Sequence, residues 1–152
     1  MRIIFVCTGN ICRSPMAHHY TQKKLYEMNL EEQIIVESAG TYAYTGSEAT
    51  EYAIKAMKMY DVDMSKHKAT KIENVDINDI DYVFCMTANH KRYLVSLYPR
   101  LNDKIFTLKE FIGENKNIDI EDPWGYDEKT YAKTAKDIVE IVDKQIDKLV
   151  KG

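Results

Sequence analysis

At 152 residues, with 45% hydrophobic and 30% charged side chains and a formal net charge of −3, the chain has the balance of a soluble globular domain with a sizeable core. Both signs of charge are interspersed, which excludes the basic face of a general nucleic-acid or anionic-membrane binder, and Ile3-Ile4-Phe5-Val6 is too short for a signal h-region or a membrane span. Three cysteines make no disulfide framework and, with no export signal in view, point to a reducing cytoplasm.

Taken in order, Arg2 to Val6 reads as a buried strand ending at a Gly-Asn turn. Ser14-Pro15 reads as an N-cap followed by proline, opening a helix through Met16, Tyr20, Lys24 and Leu25 to about Asn29. Gln33 to Ser38 is a second strand, closed by Ala39-Gly40, and Ser47 to about Tyr60 has a helical pattern. Asp81 to Met86 is a third strand, Asn89 to Leu97 a helix stopped by Pro99, and Lys104 to Thr107 a short fourth strand. The last helix runs from about Glu128 to Val150, with Tyr131, Ala135, Ile138, Val142, Ile146 and Leu149 on one stripe. Without repeat or linker, this is one α/β domain over 1–152: a parallel sheet with helices on both faces. Such folds bind ligands beyond the carboxyl ends of the strands, and the first strand-to-helix turn is Cys7 to Ser14.

That turn reads Cys7-Thr8-Gly9-Asn10-Ile11-Cys12-Arg13-Ser14. Gly9 and Asn10 are the residue types that best tolerate left-handed backbone angles, so the loop can curl its N–H groups onto one point and form an anion nest in front of a helix N-terminus. Such a nest favours the thiolate form of a cysteine at its centre, and Arg13 supplies a planar fork for two phosphoryl oxygens. Taken alone, Cys7 could equally be an inert packed thiol, or a ligand with Cys12; zinc sites need more ligands at closer paired spacing, and no second pair exists. The whole set of loop residues, not Cys7 by itself, favours a nucleophile and oxyanion clamp in one turn.

Cys-Thr-Gly-Asn-Ile-Cys-Arg-Ser-Pro resembles the signature of the low-molecular-weight protein tyrosine phosphatases, Cys-x5-Arg-Ser directly after the first strand. Ser38-Ala39-Gly40-Thr41, Ser65-Lys66-His67-Lys68-Ala69 and Asp122-Pro123 resemble further family segments in order, so the likeness covers essentially the whole chain. The fold expected is one three-layer domain whose four-stranded parallel sheet has the order 2-1-3-4. The resemblance implies attack by Cys7 on phosphorus, with Arg13 and the amides of Thr8, Gly9, Asn10, Ile11 and Cys12 holding the phosphoryl oxygens. It implies Asp122 as general acid and then base, Ser14 as hydrogen-bond partner of the Cys7 sulfur, and Ser38 and His67 as supports of the loop. On the residues alone Asp122 is only an Asp-Pro turn, with Asp119 and Glu121 as solvated loop charges. No metal and no cofactor is called for. In the family, Cys12 can pair reversibly with Cys7 under oxidation; the competing reading is a packed thiol. Cys85 reads as core, and His18, His19 and His90 as helix-face residues.

Ile11, Tyr44 and Trp124 are expected to wall a slot for an aryl ring. Trp124-Gly125 departs from the animal-type pattern of two tyrosines after Asp-Pro. Phe106 to Phe111 and the Asp-Pro-aromatic-Gly pattern resemble bacterial protein-arginine phosphatases, which carry threonine where this chain has Ile11. The methyls of Ile11 suit an aryl ring better than a guanidinium. The expectation is therefore a monomeric cytoplasmic phosphatase acting on phosphotyrosine-bearing proteins or peptides and releasing inorganic phosphate, with protein-arginine phosphatase as the alternative. Thioredoxin-coupled arsenate reductase, which needs further cysteines after Cys85, and an inactive phosphate-binding module, which would not need Asp122, are the other classes.

Overall fold

The computed structural model describes residues 1–152. Four strands, β1 (Arg2–Cys7), β2 (Ile35–Gly40), β3 (Tyr82–Cys85) and β4 (Ile105–Thr107), form one sheet in the order β2-β1-β3-β4, every pair parallel. The central place of β1 follows from its sequence: Ile3, Ile4, Phe5 and Val6 are all fully buried, as a strand covered on both faces requires. Successive residues point to opposite faces. Ile3, Phe5 and Cys7 join one core with helices α1 (Arg13–Glu27), α2 (Glu51–Lys58) and α5 (Glu128–Lys151). Ile4 and Val6 join a second with Leu94 of α3 (Ala88–Leu97), Ile72, Ile80 and Leu101. Each fully buried side chain of this kind contributes about 1.5–3 kcal/mol. No helix is long and apolar enough to cross a membrane.

Several boundaries differ from expectation, each for a local reason. Helix α1 begins at Arg13 with Cys12 as its N-cap and no side-chain cap; Ser14 is not the cap because its hydroxyl is turned back onto Cys7 and Asn10. Strand β2 starts two residues later and runs on to Gly40, in register with β1 up to the pair Cys7–Gly40. Helix α2 is shorter than Ser47 to Tyr60. Thr50 caps it, accepting from the Ala53 N–H at 3.3 Å, while residues 47–49 run beside the 68–69 loop through Ala69 N–H to Ser47 O at 2.7 Å. Helix α3 takes Thr87 as N-cap, and a 3-10 segment, Pro99–Lys104, leads into β4. A one-turn helix α4 (Leu108–Phe111) follows β4, started by a capping box between Thr107 and Glu110.

Candidate active site

Strand β1 ends at Cys7, which is 3% exposed at the floor of the first strand-to-helix turn. Neighbouring backbone fixes the loop: Thr41 N–H donates to Cys7 O and Tyr42 N–H to Thr8 O, both at 2.9 Å, and Thr50 N–H to Ile11 O at 3.0 Å. Within the loop only Asn10 is left-handed, with φ 55°; Gly9, expected to share that role, has no positive φ. Asn10 is held on all sides. Its Oδ1 accepts from Thr70 N–H at 2.9 Å, which orients the amide so that Nδ2 donates to Ser14 Oγ at 2.8 Å. With one lone pair so engaged, the Ser14 proton is free for Cys7 Sγ, 2.9 Å away. Asn10 N–H donates to the same sulfur at 3.3 Å. Two donors thus converge on one sulfur.

Gly40, beside the loop, must be glycine. A Cβ there would lie 2.3 Å from Thr8 O and 3.0 Å from Asn10 N. Gly40→Ala therefore has to displace backbone of the loop itself. It is expected to lower stability by about 2–4 kcal/mol and to remove most activity, read from the urea midpoint and from phosphate release. An unchanged midpoint would mean that the loop gives way freely.

Arg13 is buried, its Nη1 donating to Ile120 O at 2.9 Å while Nη2 lies 3.5 Å from Asp122 Oδ2. The Ile120 carbonyl aims the guanidinium, and the fork remains beside the loop. Asp122 is half-exposed, 52% by side chain, and its Oδ1 accepts from Trp124 N–H at 3.1 Å, the Asx turn that Asp-Pro favours. Cys7, Arg13 and Asp122 line one cleft of about 280 Å³, with Ile11, Tyr44 and Trp124 among its walls. Tyr42, which the sequence reading passed over, also lines it. Its place two residues before Tyr44, in the turn just past the end of β2, is the signal that could have found it. Glu121 lies 3.7 Å from Lys133, and Asp119 is not simply solvated: its Oδ1 accepts from Ala88 N–H at 2.8 Å, at the start of α3.

The histidines depart most from expectation. His90 is not a plain helix-face residue but is buried, with Nε2 2.8 Å from Thr8 Oγ1 and Nδ1 3.0 Å from Thr87 Oγ1. Burial first, and then the Arg13 charge, push its pKa down to about 4, so the ring that braces Thr8 is neutral at pH 7. His67 Nε2 donates to Asn10 O at 2.8 Å, which leaves Nδ1 unprotonated in the neutral ring. Nδ1 then accepts from His19 Nε2 at 2.9 Å, so a relay runs from α1 through His67 to the left-handed residue of the loop. Burial holds His67 below the ordinary histidine range, and burial with neighbouring imidazoles lowers His19 to about 4 and His18 to about 3. Ser38, expected beside the loop, instead pairs with His18 Nδ1 at 2.7 Å. The signal for these contacts was a pair of adjacent histidines one turn beyond the loop.

All three cysteines are free thiols. Cys12 is packed, its sulfur 3.4 Å from Tyr131 Oη and 3.6 Å from Thr50 Oγ1, and burial raises its pKa. Cys85 is fully buried in the second core, and burial pushes its thiol far up.

Comparison with known proteins finds relatives over nearly the whole chain. A protein from Geobacillus stearothermophilus named protein-arginine-phosphatase is 35% identical over 97% of this chain and 95% of its own length. The low molecular weight protein-tyrosine-phosphatase PtpB of Staphylococcus epidermidis is 33% identical over 95% of this chain and 96% of its own. The crystal structure of a low molecular weight protein tyrosine phosphatase from T. tengcongensis superposes with a TM-score of 0.90 at 42% identity, covering 97% of this chain and 99% of that one. With the family model described as low molecular weight phosphotyrosine protein phosphatase matching residues 2–152, the chain belongs to that family of enzymes, hydrolases of phosphomonoesters.

Proposed function

We propose that this chain hydrolyses phosphotyrosine in proteins or peptides by way of a phospho-cysteine intermediate on Cys7. The observation that carries the mechanism is the convergence of Ser14 Oγ and Asn10 N–H on Cys7 Sγ, at the floor of a cleft whose rim holds Arg13 and Asp122 3.5 Å apart. In the first step the sulfur forms a bond to phosphorus as the P–O bond to the leaving group breaks, and Asp122 gives its proton to the departing oxygen. Arg13 and the amides of Thr8 to Cys12 hold the equatorial oxygens as charge spreads over them. In the second, the Asp122 carboxylate takes a proton from water, which attacks phosphorus and releases orthophosphate. The Ser14 hydroxyl stabilises the departing Cys7 sulfur, and His67 keeps Asn10 in its left-handed conformation through Asn10 O. The three free thiols support a cytoplasmic setting.

For the substrate, the supporting feature is the apolar cleft wall: Ile11, Tyr42, Tyr44 and Trp124 offer faces and methyls to a flat ring. The 35% identical relative named protein-arginine-phosphatase favours a second reading with the same nucleophile and nitrogen in place of oxygen as the leaving atom. Phosphate release from a phosphotyrosine peptide and a phosphoarginine peptide, measured side by side, separates the two. The expected result is a kcat/KM for phosphotyrosine at least about tenfold higher, the scale on which an apolar pocket discriminates. Preference for phosphoarginine would overturn the substrate assignment and leave the nucleophile standing.

A further inference from the structure

Next to the nucleophile loop, in a hollow that shares no lining residue with the cleft, His18 and His19 of α1 meet His67. The two α1 rings stack at 4.3 Å with 14° between their planes, and His67 stands edge-on to His19 at 5.1 Å. One nitrogen from each of the three rings lies within 4.8 Å of the other two. A second observation is that His18 Nε2 is buried with no hydrogen-bond partner, a costly state for a polar atom in a chain that otherwise satisfies nearly all of its own. We propose that His18, His19 and His67 form a binding site for a divalent transition ion of the zinc class, separate from the catalytic cleft.

The chemistry of the donors fits. Three neutral imidazoles with one open position make up a common zinc ligand set, and Zn–N bonds of about 2.0–2.1 Å in a tetrahedral arrangement place the nitrogens about 3.4 Å apart. His19 Nε2 and His67 Nδ1 are now 2.9 Å apart and would part slightly, while the widest separation in the cluster would close by side-chain rotation. His67 has the support that metal-bound histidines usually have. Its Nδ1 faces the cluster, while Nε2–H donates to a backbone carbonyl, Asn10 O. Binding replaces the His19–His67 hydrogen bond: the His19 proton moves to Nδ1 and its Nε2 lone pair goes to the ion. The rings border an open hollow of about 300 Å³ that also exposes Glu37, Lys66 and Lys68, so the fourth position is reachable from solvent. The two lysines oppose a bare cation and favour an anionic fourth ligand such as chloride or hydroxide, making the site exchangeable rather than structural. The ion takes no part in hydrolysis; it grips the ring that holds Asn10.

Zinc chloride titrated calorimetrically into the Cys7→Ser chain near neutral pH tests this without the nucleophile. The expected result is saturable binding of a single equivalent, weakened on the order of tenfold to a hundredfold in both His18→Gln and His19→Gln made in that background. Thermal unfolding of the metal-free variants checks that each is folded. Cobalt(II) added to the wild-type chain is expected to give visible d–d bands without a strong near-ultraviolet thiolate band. Absence of binding to Cys7→Ser, or binding that survives both histidine substitutions, would overturn the site. So would a thiolate-to-cobalt band in the wild type, which would put the ion on a cysteine. None of these outcomes depends on which phosphomonoester the enzyme prefers.

Discussion

Cys7→Ser is expected to lower kcat by a factor on the order of 10⁴–10⁶, the scale on which removing a nucleophile acts, while leaving the fold and orthophosphate binding in place. The loop is built to supply donors to a sulfur, not to take a proton from an oxygen. Ser14 and Asn10 N–H both point hydrogens at position 7, and neither can act as a base. The nearby imidazoles are committed elsewhere: His90 to Thr8 and Thr87, His67 to Asn10 O. A serine hydroxyl at position 7 would therefore keep its proton and remain a poor nucleophile. Arg13 is held by Ile120 O independently of Cys7, so the oxyanion clamp survives the substitution. Steady-state kinetics with a phosphotyrosine peptide, paired with equilibrium binding of orthophosphate, separates the two effects. Turnover within about tenfold of wild type would remove Cys7 from its assigned role.

How far this site could be read from the sequence depended on whether its parts are neighbours along the chain. The Cys7–Ser14 loop was legible because nucleophile, turn residues and clamp lie within eight residues between a strand and a helix, where local backbone rules apply. The sheet was legible for the same reason: four apolar runs separated by helical segments leave few topologies, and the family resemblance supplied the order. Asp122 was different. It lies 109 positions from Arg13, and an Asp-Pro pair alone announces only a turn; the resemblance, not the residues, brought it to the cleft. His90 reaches Thr8 across 82 positions, and His19 reaches His67 across 48. No periodicity encodes such pairs, so these histidines looked like ordinary helix residues. Ser14 misled for a converse reason. Its type suits an N-cap, but a hydroxyl beside a strained loop found better partners in Cys7 and Asn10 than in its own helix.

Asp122→Asn is expected to lower kcat on a phosphotyrosine peptide by about 10²–10⁴-fold, the usual worth of a positioned proton donor. The substitution preserves shape. The Asn side-chain oxygen can still accept from Trp124 N–H, so the Asx turn should persist and the cleft keep its walls. What disappears is the proton for the leaving oxygen and, in the second step, the carboxylate that takes one from water. The carboxylate sits 3.5 Å from Arg13 Nη2, so in the proposed mechanism the acid is held beside the group that grips the phosphoryl oxygens. A leaving group that departs without help needs the acid least. An aryl phosphate with a strongly acidic phenol should therefore lose less in its phosphorylation step than one with a basic phenol, and the dependence of that step on phenol pKa should steepen. Single-turnover rates across a short series of aryl phosphates measure this. A uniform loss across the series would assign Asp122 to cleft structure, and an unchanged rate would move the proton donor elsewhere. Glu121 and Asp119 stand nearest in sequence, but neither lines the cleft that holds Cys7: Glu121 faces Lys133 and Asp119 is engaged at the start of α3. Of the three, only Asp122 lines that cleft, which is why the proposed mechanism gives it the proton.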